Sequence, residues 1–356
     1  MEKLAIQLSC YNGARYLSHL LVSLAAQTFT DWKLYVLDNA SDADNAKAIR
    51  EAVAVLGSKA VCSRVEQNID FVGAHNLLWR FHASPFVQLL NDDAMLEPEY
   101  LARLVQVMET NPNCASATGL IYRWDFDRVN EPEKGKTNIV DSSGLERTAT
   151  WKVSDRMAGT VIARSDLSPE ALAKGEATKQ SYGGIASPVP MDRVRNDGKI
   201  EPVFGVSGCL PMYRRDAIEK TSPDQLLFAP LFQSYKEDVD VAFRLNRAGF
   251  VSLLDTGAVT YHRRSFLPGA QAAQSWRAAF HSYRNHFWVL LYHLTWEDFK
   301  KDGFWIVLFE LAKKMYWLLK RPAVVWQTAK ETWTHRRELL ARRKFYQSID
   351  KWEGTK

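Results

Sequence analysis

Short apolar runs alternate with longer segments of helical periodicity through the first hundred residues. The apolar runs predict β-strands over residues 4–10, 32–41, 60–68 and 85–92. Leucines and alanines at helical spacing predict helices over residues 14–27, 45–57 and 72–83. Strands that alternate with helices at this spacing predict an α/β fold with a parallel sheet and crossover helices. In such sheets, ligands bind beyond the carboxyl ends of the strands.

Polar side chains follow each predicted strand at this edge. They are Asn12, Asp38, Asn39, Asn68, Asp92 and Asp93. Adjacent carboxylates such as Asp92 and Asp93 repel each other and resist desolvation, so they need either open water or a cation. The alternative is ordinary turn and cap chemistry, in which Asn and Asp are common.

A second acidic cluster begins a predicted helix within residues 234–250 and contains Glu237, Asp238 and Asp240. Acids at a helix N-terminus are favoured by the unpaired N–H groups there, which is the structural alternative to a catalytic role. Asp238 is the candidate general base, while Glu237 or Asp240 would cap the helix or pair with Arg244.

A strand predicted over residues 251–265 contains His262 and Arg263 near its end. A histidine there is either a polar surface residue or a further ligand to an ion held by Asp93. For Arg263 a position on the protein surface is the commoner case.

Residues 123–204 are rich in Gly, Pro and charge and have weak periodicity, which predicts a long insertion of mobile loops that shapes a binding site. A strand and a helix then follow within residues 203–220. The predicted division is a catalytic domain over 1–270 and a helical region over 271–356. Within the first, residues 123–204 form the insertion, and residues 1–122 and 205–270 form the parts on either side of it.

Charge is distributed unevenly along the 356 residues. Residues 299–356 carry 14 Lys plus Arg against 6 Asp plus Glu, which leaves 32 against 35 before them, and the net charge of +5 is too modest to indicate nucleic acid. Four scattered cysteines suggest neither a disulfide framework nor a zinc site, so a reducing cytosol is expected. Neither a signal peptide nor a membrane span is predicted.

Eight of the twelve tryptophans lie from residue 276 onwards, among leucines and basic side chains. This pattern predicts amphipathic helices that lie in a membrane interface, with packing on the catalytic core or on another subunit as the alternative. The basic balance favours contact with anionic lipid.

The ordered motifs resemble glycosyltransferase family 2, the inverting nucleotide-sugar enzymes of GT-A fold, and within it bacterial rhamnosyltransferase-like members. The resemblance covers about residues 4–290. It rests on CYNGARYLSHLLVSLAAQTFTDWKLYVLDNASDADN, EQNIDFVGAHNLLWR, QLLNDDAML, VFGVSGCLPMYRRDAI, KEDVDVAFRLNRAG and VTYHRRS. Asn91 replaces the first acid of the family's DxD motif, which leaves Asp93 as the main metal ligand.

The resemblance implies that residues 1–122 form the nucleotide-sugar half of the catalytic domain and residues 205–270 its acceptor and base half. It also implies a residue set for inverting sugar transfer. It implies Asp238 as general base; Asn12, Asp38, Asn68, Gly73, Asn76, Asp92 and Arg263 on the donor; Asp93 and His262 on the metal; Gly208 and Glu237 on the acceptor side. The metal would be Mn²⁺ or Mg²⁺, with His262 favouring Mn²⁺. The donor would be a dTDP- or UDP-sugar and the acceptor a saccharide or lipid-linked saccharide of a surface polysaccharide. The protein would act in the cytoplasm, on the inner face of the membrane, and the C-terminal helices would provide any homo-oligomer contact.

Other readings of the sequence remain. The transferred sugar could be galactofuranose, mannose, glucose or an N-acetylhexosamine rather than rhamnose. A nucleotidyltransferase should carry a Gly-rich, basic phosphate loop after its first strand, which LSCYNGARYL lacks, and no GxGxxG follows a strand as in dinucleotide oxidoreductases. A non-catalytic carbohydrate-binding protein would require the acidic clusters to be solvated caps.

Overall fold

The alternation of apolar runs and helices folds into one large sheet flanked by helices. The computed structural model describes residues 2–125, 132–162, 198–263 and 275–349. The strands are β1 Leu4–Cys10, β2 Trp32–Asn39, β3 Ala60–Val65, β4 Phe86–Leu90, β5 Ala94–Leu96, β6 Cys114–Trp124, β7 Lys136–Ser142, β8 Leu145–Arg147, β9 Val153–Asp155, β10 Ile200–Val203, β11 Met212–Arg214 and β12 Val251–His262. The predicted α/β fold is confirmed.

The helices connect these strands and then form the C-terminal region. They are α1 Ala14–Ala25, α2 Ala43–Ala54, α3 Asp70–Trp79, α4 Tyr100–Thr110, α5 Pro132–Gly135, α6 Arg215–Lys220, α7 Glu237–Arg247, α8 Trp276–His293, α9 Trp296–Lys320, α10 Pro322–Thr334 and α11 Arg336–Gln347. Each strand and helix predicted in the first hundred residues is confirmed, with ends that differ by a few positions. The predicted helix over 45–57, for example, begins earlier because the Asp42 side chain accepts a hydrogen bond from the Asn45 N–H and caps it.

The main sheet runs in the order β10-β12-β6-β11-β4-β1-β2-β3, with β5 added on β12 and β7 on β6. Strands β3, β2, β1, β4, β6 and β12 are mutually parallel, since the short β11 between β4 and β6 is antiparallel to both. The carboxyl ends of the parallel strands therefore meet at one edge, where the sequence places its polar residues.

Alternating side chains of β1 show how the sheet is covered on both faces. Leu4, Ile6 and Leu8 are buried with α1 and α4, whereas Ala5 packs with Ala74 and other residues of α3 on the opposite face. This alternation is the two-residue period of a strand. Two helical layers thus hold the sheet edge in place.

The prediction of loops for residues 123–204 is wrong for part of the insertion. β7 pairs antiparallel with β6, and β10 pairs antiparallel with β12, so both extend the main sheet. Their apolar period is weak because they are partly exposed additions whose hydrogen bonds come from a neighbour's backbone. Residues 126–131 and 163–197 of the insertion lie outside the described residues.

The first helix of the C-terminal region packs against the body of the protein. α8 is largely buried and contacts α7, α10 and α11, which confirms packing on the core as one of the two alternatives for this region. The Asp240 carboxylate connects α7, α8 and α11. It lies 3.6 Å from Arg244 of α7 and 2.8 Å from His293 of α8, and it accepts a 3.3 Å hydrogen bond from the Tyr346 hydroxyl of α11. The predicted pairing of Asp240 with Arg244 is confirmed. None of the described helices is both long and apolar enough to span a bilayer.

Candidate active site

The strand pairing at the carboxyl edge brings Asp93 and His262 together although 169 positions separate them. β5 follows Asp93 and pairs antiparallel with the end of β12, so that Ala94 lies opposite His262. The His262 Nε2 atom lies 3.3 Å from Asp93 Oδ1, and both side chains are buried. The two residues predicted as metal ligands therefore lie side by side at the carboxyl edge of the sheet.

A second carboxylate, on the insertion, faces the other nitrogen of this imidazole. Asp141 Oδ2 lies 2.8 Å from His262 Nδ1, and the Asn91 side-chain amide lies 3.2 Å from Nε2. Burial alone would lower the pKa of His262, but hydrogen bonds to Asp141 and Asp93, together with their charges, raise it to about 10. Carboxylates at both ring nitrogens thus favour a positive charge here, either a proton or a cation.

Potential metal-ligating atoms of Asp141, Cys209 and His262 lie within 4.8 Å of one another. Oxygen and imidazole ligands suit Mn²⁺ and other divalent cations, and a metal-bound histidine commonly donates its other ring N–H to a carboxylate. Asp93 is not a member of this set of three, but its Oδ1 atom faces the Nε2 side of the same imidazole, so oxygen and imidazole donors that suit a divalent cation surround His262. Asp141 could not be predicted as a member of the site, because it lies in a weakly periodic segment without a motif.

Asp92 lies on the other side of the same edge, against the end of β1. The Cys10 thiol donates a 3.2 Å hydrogen bond to Asp92 Oδ2, and a Cβ on residue 13 would lie 1.6 Å from that oxygen. Glycine at position 13 is therefore required for this approach. Burial and the neighbouring charge of Asp93 raise the pKa of Asp92 to about 7.

The polar residues after β1 and β2 form a connected network. The Ser41 N–H donates to the buried Asp38 carboxylate at 2.9 Å, and Arg64 forms an ion pair with the same group. Asn12 has a φ of 53° and accepts a 2.9 Å bond from the Asp42 N–H. The structure thus brings Asn12 and Asp38 together through residues 41 and 42. Arg64 is a further member that sequence reasoning missed, since an arginine in a strand carries no motif.

The next residues predicted to contact the donor, Asn68 and Gly73, lie just before α3 and in its first turns. Asn68 Oδ1 accepts hydrogen bonds from the Asp70 N–H at 2.9 Å and from Asn39 at 3.3 Å, which ties this loop to the end of β2. A Cβ at Gly73 would lie 3.1 Å from the Ile69 side chain, so a small residue suits this turn of the helix.

Asn76 is buried further along α3 and is fully engaged. Its amide donates to the Phe228 carbonyl and accepts from the Phe228 N–H, both at 2.9 Å. This geometry favours a clamp between α3 and the segment around residue 228, and the donor contact predicted for Asn76 stays a prediction.

The candidate base stands at the first turn of α7. Asp238 Oδ2 accepts a 3.0 Å hydrogen bond from the Gly208 N–H, and Oδ1 accepts one of 2.8 Å from the Val239 N–H. Burial raises the pKa of Asp238 above its ordinary value and, together with the charge of Asp238, raises the pKa of the buried Glu237 to about 8. A carboxyl group tuned in this direction suits a general base that works near neutral pH.

The loop before this helix is held in an unusual conformation by α8. Gln233, Tyr235 and Lys236 all have positive φ angles, between 64° and 69°. Asn285 of α8 donates to the carbonyls of Phe232, Ser234 and Tyr235 at 2.7–2.8 Å. Strain of this kind persists only where surrounding contacts hold it. Sequence reasoning missed Asn285 because an amide inside an aromatic helix gave no signal.

The remaining predicted donor residue, Arg263, directly follows β12. Its guanidinium carbon lies 5.3 Å from the centre of the Tyr16 ring on α1, and its backbone N–H donates a 3.1 Å hydrogen bond to the Asp93 carbonyl. Arg263 therefore stands beside the Asp93–His262 pair, and its contact with a pyrophosphate stays a prediction.

Part of the chain is similar in sequence to known proteins. Residues 6–170, just under half of the chain, match the family model described as Glycosyl transferase family 2. An uncharacterized glycosyltransferase, alr2836, of Nostoc sp. is 28% identical over 160 residues, which are 45% of this chain and 45% of that protein. Protein CgeD of Bacillus subtilis is 28% identical over 123 residues, 31% of this chain and 27% of its own length. The chain thus aligns with less than half of each relative's length.

Two solved structures have a similar fold. The structure of GalNAc-T7 with UDP, GalNAc and Mn²⁺ gives a TM-score of 0.57 at 13% identity and covers 82% of this chain and 48% of that one. The mannosyltransferase PcManGT from Pyrobaculum calidifontis, in complex with GDP-Man and Mn²⁺, gives 0.52 at 12% identity and covers 98% and 86%. The predicted GT-A fold is therefore confirmed.

Proposed function

We propose that this chain, whose residues 6–170 match glycosyl transferase family 2, is an inverting glycosyltransferase that moves a sugar from a nucleotide diphosphate to a saccharide. Rhamnose carried on dTDP is the first donor to test, with UDP-sugars next. The proposed acceptor is a lipid-linked saccharide of a growing bacterial surface polysaccharide, at the cytoplasmic face of the membrane.

Two adjacent residues, Gly208 and Cys209, carry the proposal, because one contacts each of the two acidic centres and the centres therefore lie close together. The Gly208 N–H binds the Asp238 carboxylate at 3.0 Å, and the next residue, Cys209, has its ligand atom within 4.8 Å of those of Asp141 and His262. A base and a cation-binding centre that are this close suit a displacement in which one activates a nucleophile and the other faces the leaving group.

The side chains divide the reaction between them. Asp238 removes the proton from an acceptor hydroxyl, and the resulting nucleophile attacks the anomeric carbon from the face opposite the nucleotide, which inverts that centre. Gly208 orients the Asp238 carboxylate through its N–H. Asp93 and His262 would hold Mn²⁺ or Mg²⁺, which when bound neutralises charge on the leaving nucleotide diphosphate. We assign Asn12, Asp38, Asn68 and Asp92 to the nucleotide side of the cleft, and Glu237 to the acceptor side.

A panel of nucleotide sugars, with and without Mn²⁺ or Mg²⁺, tests the proposal. We expect at least one donor to raise the melting temperature and to be slowly hydrolysed to the nucleotide diphosphate, in each case only with the cation. The sugar and nucleotide that give the largest shift identify the donor, and inclusion of galactofuranose, mannose, glucose and N-acetylhexosamine donors covers the other sugars. Failure of every donor to bind would reject the proposal.

Asp141→Asn should weaken Mn²⁺ binding about 10- to 100-fold, because the carboxylate orients His262 and raises its basicity as a ligand. Isothermal titration with Mn²⁺ alone measures this effect without the reaction. Asp255→Asn is the matched control, since Asp255 is also a buried acid, lies within β12 and pairs with Arg103. Unchanged Mn²⁺ affinity in Asp141→Asn, or an equal loss in the control, would contradict the role of Asp141.

A further inference from the structure

The outer face of α9 carries an apolar stripe that the described residues do not cover. Phe304, Trp305, Leu308, Leu311, Met315 and Leu319 are between 51% and 77% exposed. Their spacing of three or four positions places most of them on one side of the helix, over residues 304–319 or roughly 22 Å. A contiguous apolar surface of this size usually marks an interaction site.

The opposite side of α9 fixes this helix to the body of the protein. Ile306 is buried, and Asp302 lies 3.5 Å from Arg147 of β8. Glu310 accepts from Lys313 at 2.6 Å and lies 2.7 Å from His286 of α8. The helix is therefore held with a defined orientation, and the apolar stripe faces away from the sheet.

Charge around the stripe decides between the two predicted partners, lipid and a second copy of the chain. The exposed basic side chains number four on α9, one on α10 and three on α11, whereas the exposed acids of these helices are Glu297 and Glu338. Lys314 and Lys320 are exposed within the same stretch of α9. Two copies packed face to face would bring like charges together, while an anionic lipid surface complements them.

Exposed tryptophans on α9 and α10 also favour lipid as the partner. Trp296 at the start of α9, and Trp326 and Trp333 on α10, are 68%, 74% and 70% exposed. Indole rings favour the boundary between headgroups and acyl chains, and lysines beside an apolar face reach the phosphates. No described helix meets the requirement for a span, so an orientation in the plane of the interface is the arrangement that uses both features.

We propose that the outer face of α9 docks on an anionic phospholipid surface. Arg147, the partner of Asp302 in α9, belongs to the β8–β9 hairpin, and Lys236, just before α7, donates a 3.0 Å bond to the Val153 carbonyl of that hairpin. These two contacts connect α9 to the start of the helix that carries Asp238. If the proposed function holds, a lipid-linked acceptor would approach the base from this surface.

Co-sedimentation with vesicles tests the docking surface. We expect the full chain to bind phosphatidylglycerol–phosphatidylcholine vesicles at least about tenfold more tightly than pure phosphatidylcholine vesicles, with the difference falling as salt is added. The double variant Leu311→Asp with Leu319→Asp should lose at least tenfold in binding to the anionic vesicles. The variant Lys314→Glu with Lys320→Glu should lose the preference for anionic lipid without removal of any apolar side chain.

Val22→Asp with Val55→Asp is the matched control, since these valines are 71% and 85% exposed on α1 and just after α2. It adds the same charge and removes the same number of exposed apolar side chains, and should bind vesicles as the unmodified chain does. Equal loss in this control, or equal binding to both vesicle types, would overturn the proposal. So would a dimer that Leu311→Asp with Leu319→Asp dissociates while the unmodified chain ignores vesicles.

Donor binding separates this proposal from the proposed function. The Leu311→Asp, Leu319→Asp variant should retain the donor-induced rise in melting temperature, because the substituted side chains lie on the outer surface. Vesicle binding by a chain that binds no nucleotide sugar would support the docking surface and reject the transferase. Donor binding by a chain that does not bind anionic vesicles would do the reverse.

Discussion

Asp238→Asn should lower the turnover number for sugar transfer by about 10²- to 10⁴-fold, the range that general base catalysis contributes. The amide has the size of the carboxyl group and keeps one oxygen to accept from the Gly208 N–H, while the Val239 N–H loses its acceptor. It cannot take a proton from the acceptor hydroxyl at neutral pH. Initial rates and donor affinity, measured on the same preparation, should show a loss in kcat with donor binding retained.

The pH profile of kcat/KM provides a second readout for this variant. Burial raises the pKa of Asp238, so the acid limb should lie above the range of an ordinary aspartate. Below that limb Asp238 is protonated and inactive, and the rate rises with pH as the proton is lost. Asp238→Asn should remove the limb.

Glu237→Gln is the matched comparison, because Glu237 is the adjacent buried acid. We expect Glu237→Gln to raise KM for the acceptor more than it lowers kcat. If Glu237→Gln abolished transfer and Asp238→Asn did not, the base would be Glu237. Normal transfer by both variants would show that neither acid is the base.

The fold of the first hundred residues could be predicted well from the sequence because its strands are central. Strand β1, for example, is buried on both faces and is a largely apolar run that ends at Cys10. β10 could not be found in this way, since its residues are exposed or half-buried and its partner β12 follows about fifty positions later. Short edge strands depend on tertiary context more than on their own pattern.

Candidate site residues could be predicted where a motif names the chemistry and were missed where only position matters. Asp93 follows an apolar run and Asp238 begins a helix, so the sequence alone makes both candidates. Asp141 and Asn285 act through neighbours, one on the imidazole of His262 and the other on the carbonyls before α7. Such residues are specified by distances between segments far apart in sequence, which composition and spacing do not record.

Asp93→Asn should abolish tight Mn²⁺ binding and lower sugar transfer about 10²- to 10³-fold, because a divalent cation contributes several kcal/mol of charge stabilisation at a leaving phosphate. The substitution removes the carboxylate that faces His262 Nε2 at 3.3 Å while it preserves side-chain volume. Titration with Mn²⁺ in the absence of donor should show the loss directly. Chelation of the unmodified chain should reproduce the rate loss, and added Mn²⁺ should reverse it only where Asp93 is intact.

Asp92→Asn is the matched control, since Asp92 is the adjacent acid in the same turn but lies against Cys10 and Gly13 rather than His262. We expect this variant to keep most of its Mn²⁺ affinity and to raise KM for the donor. The opposite pattern, with Mn²⁺ binding lost in Asp92→Asn and kept in Asp93→Asn, would move the cation to the β1 side of the edge. Full activity of Asp93→Asn in the presence of a chelator would show that transfer needs no cation, and the positive charge beside Asp93 would then be that of the His262 imidazolium.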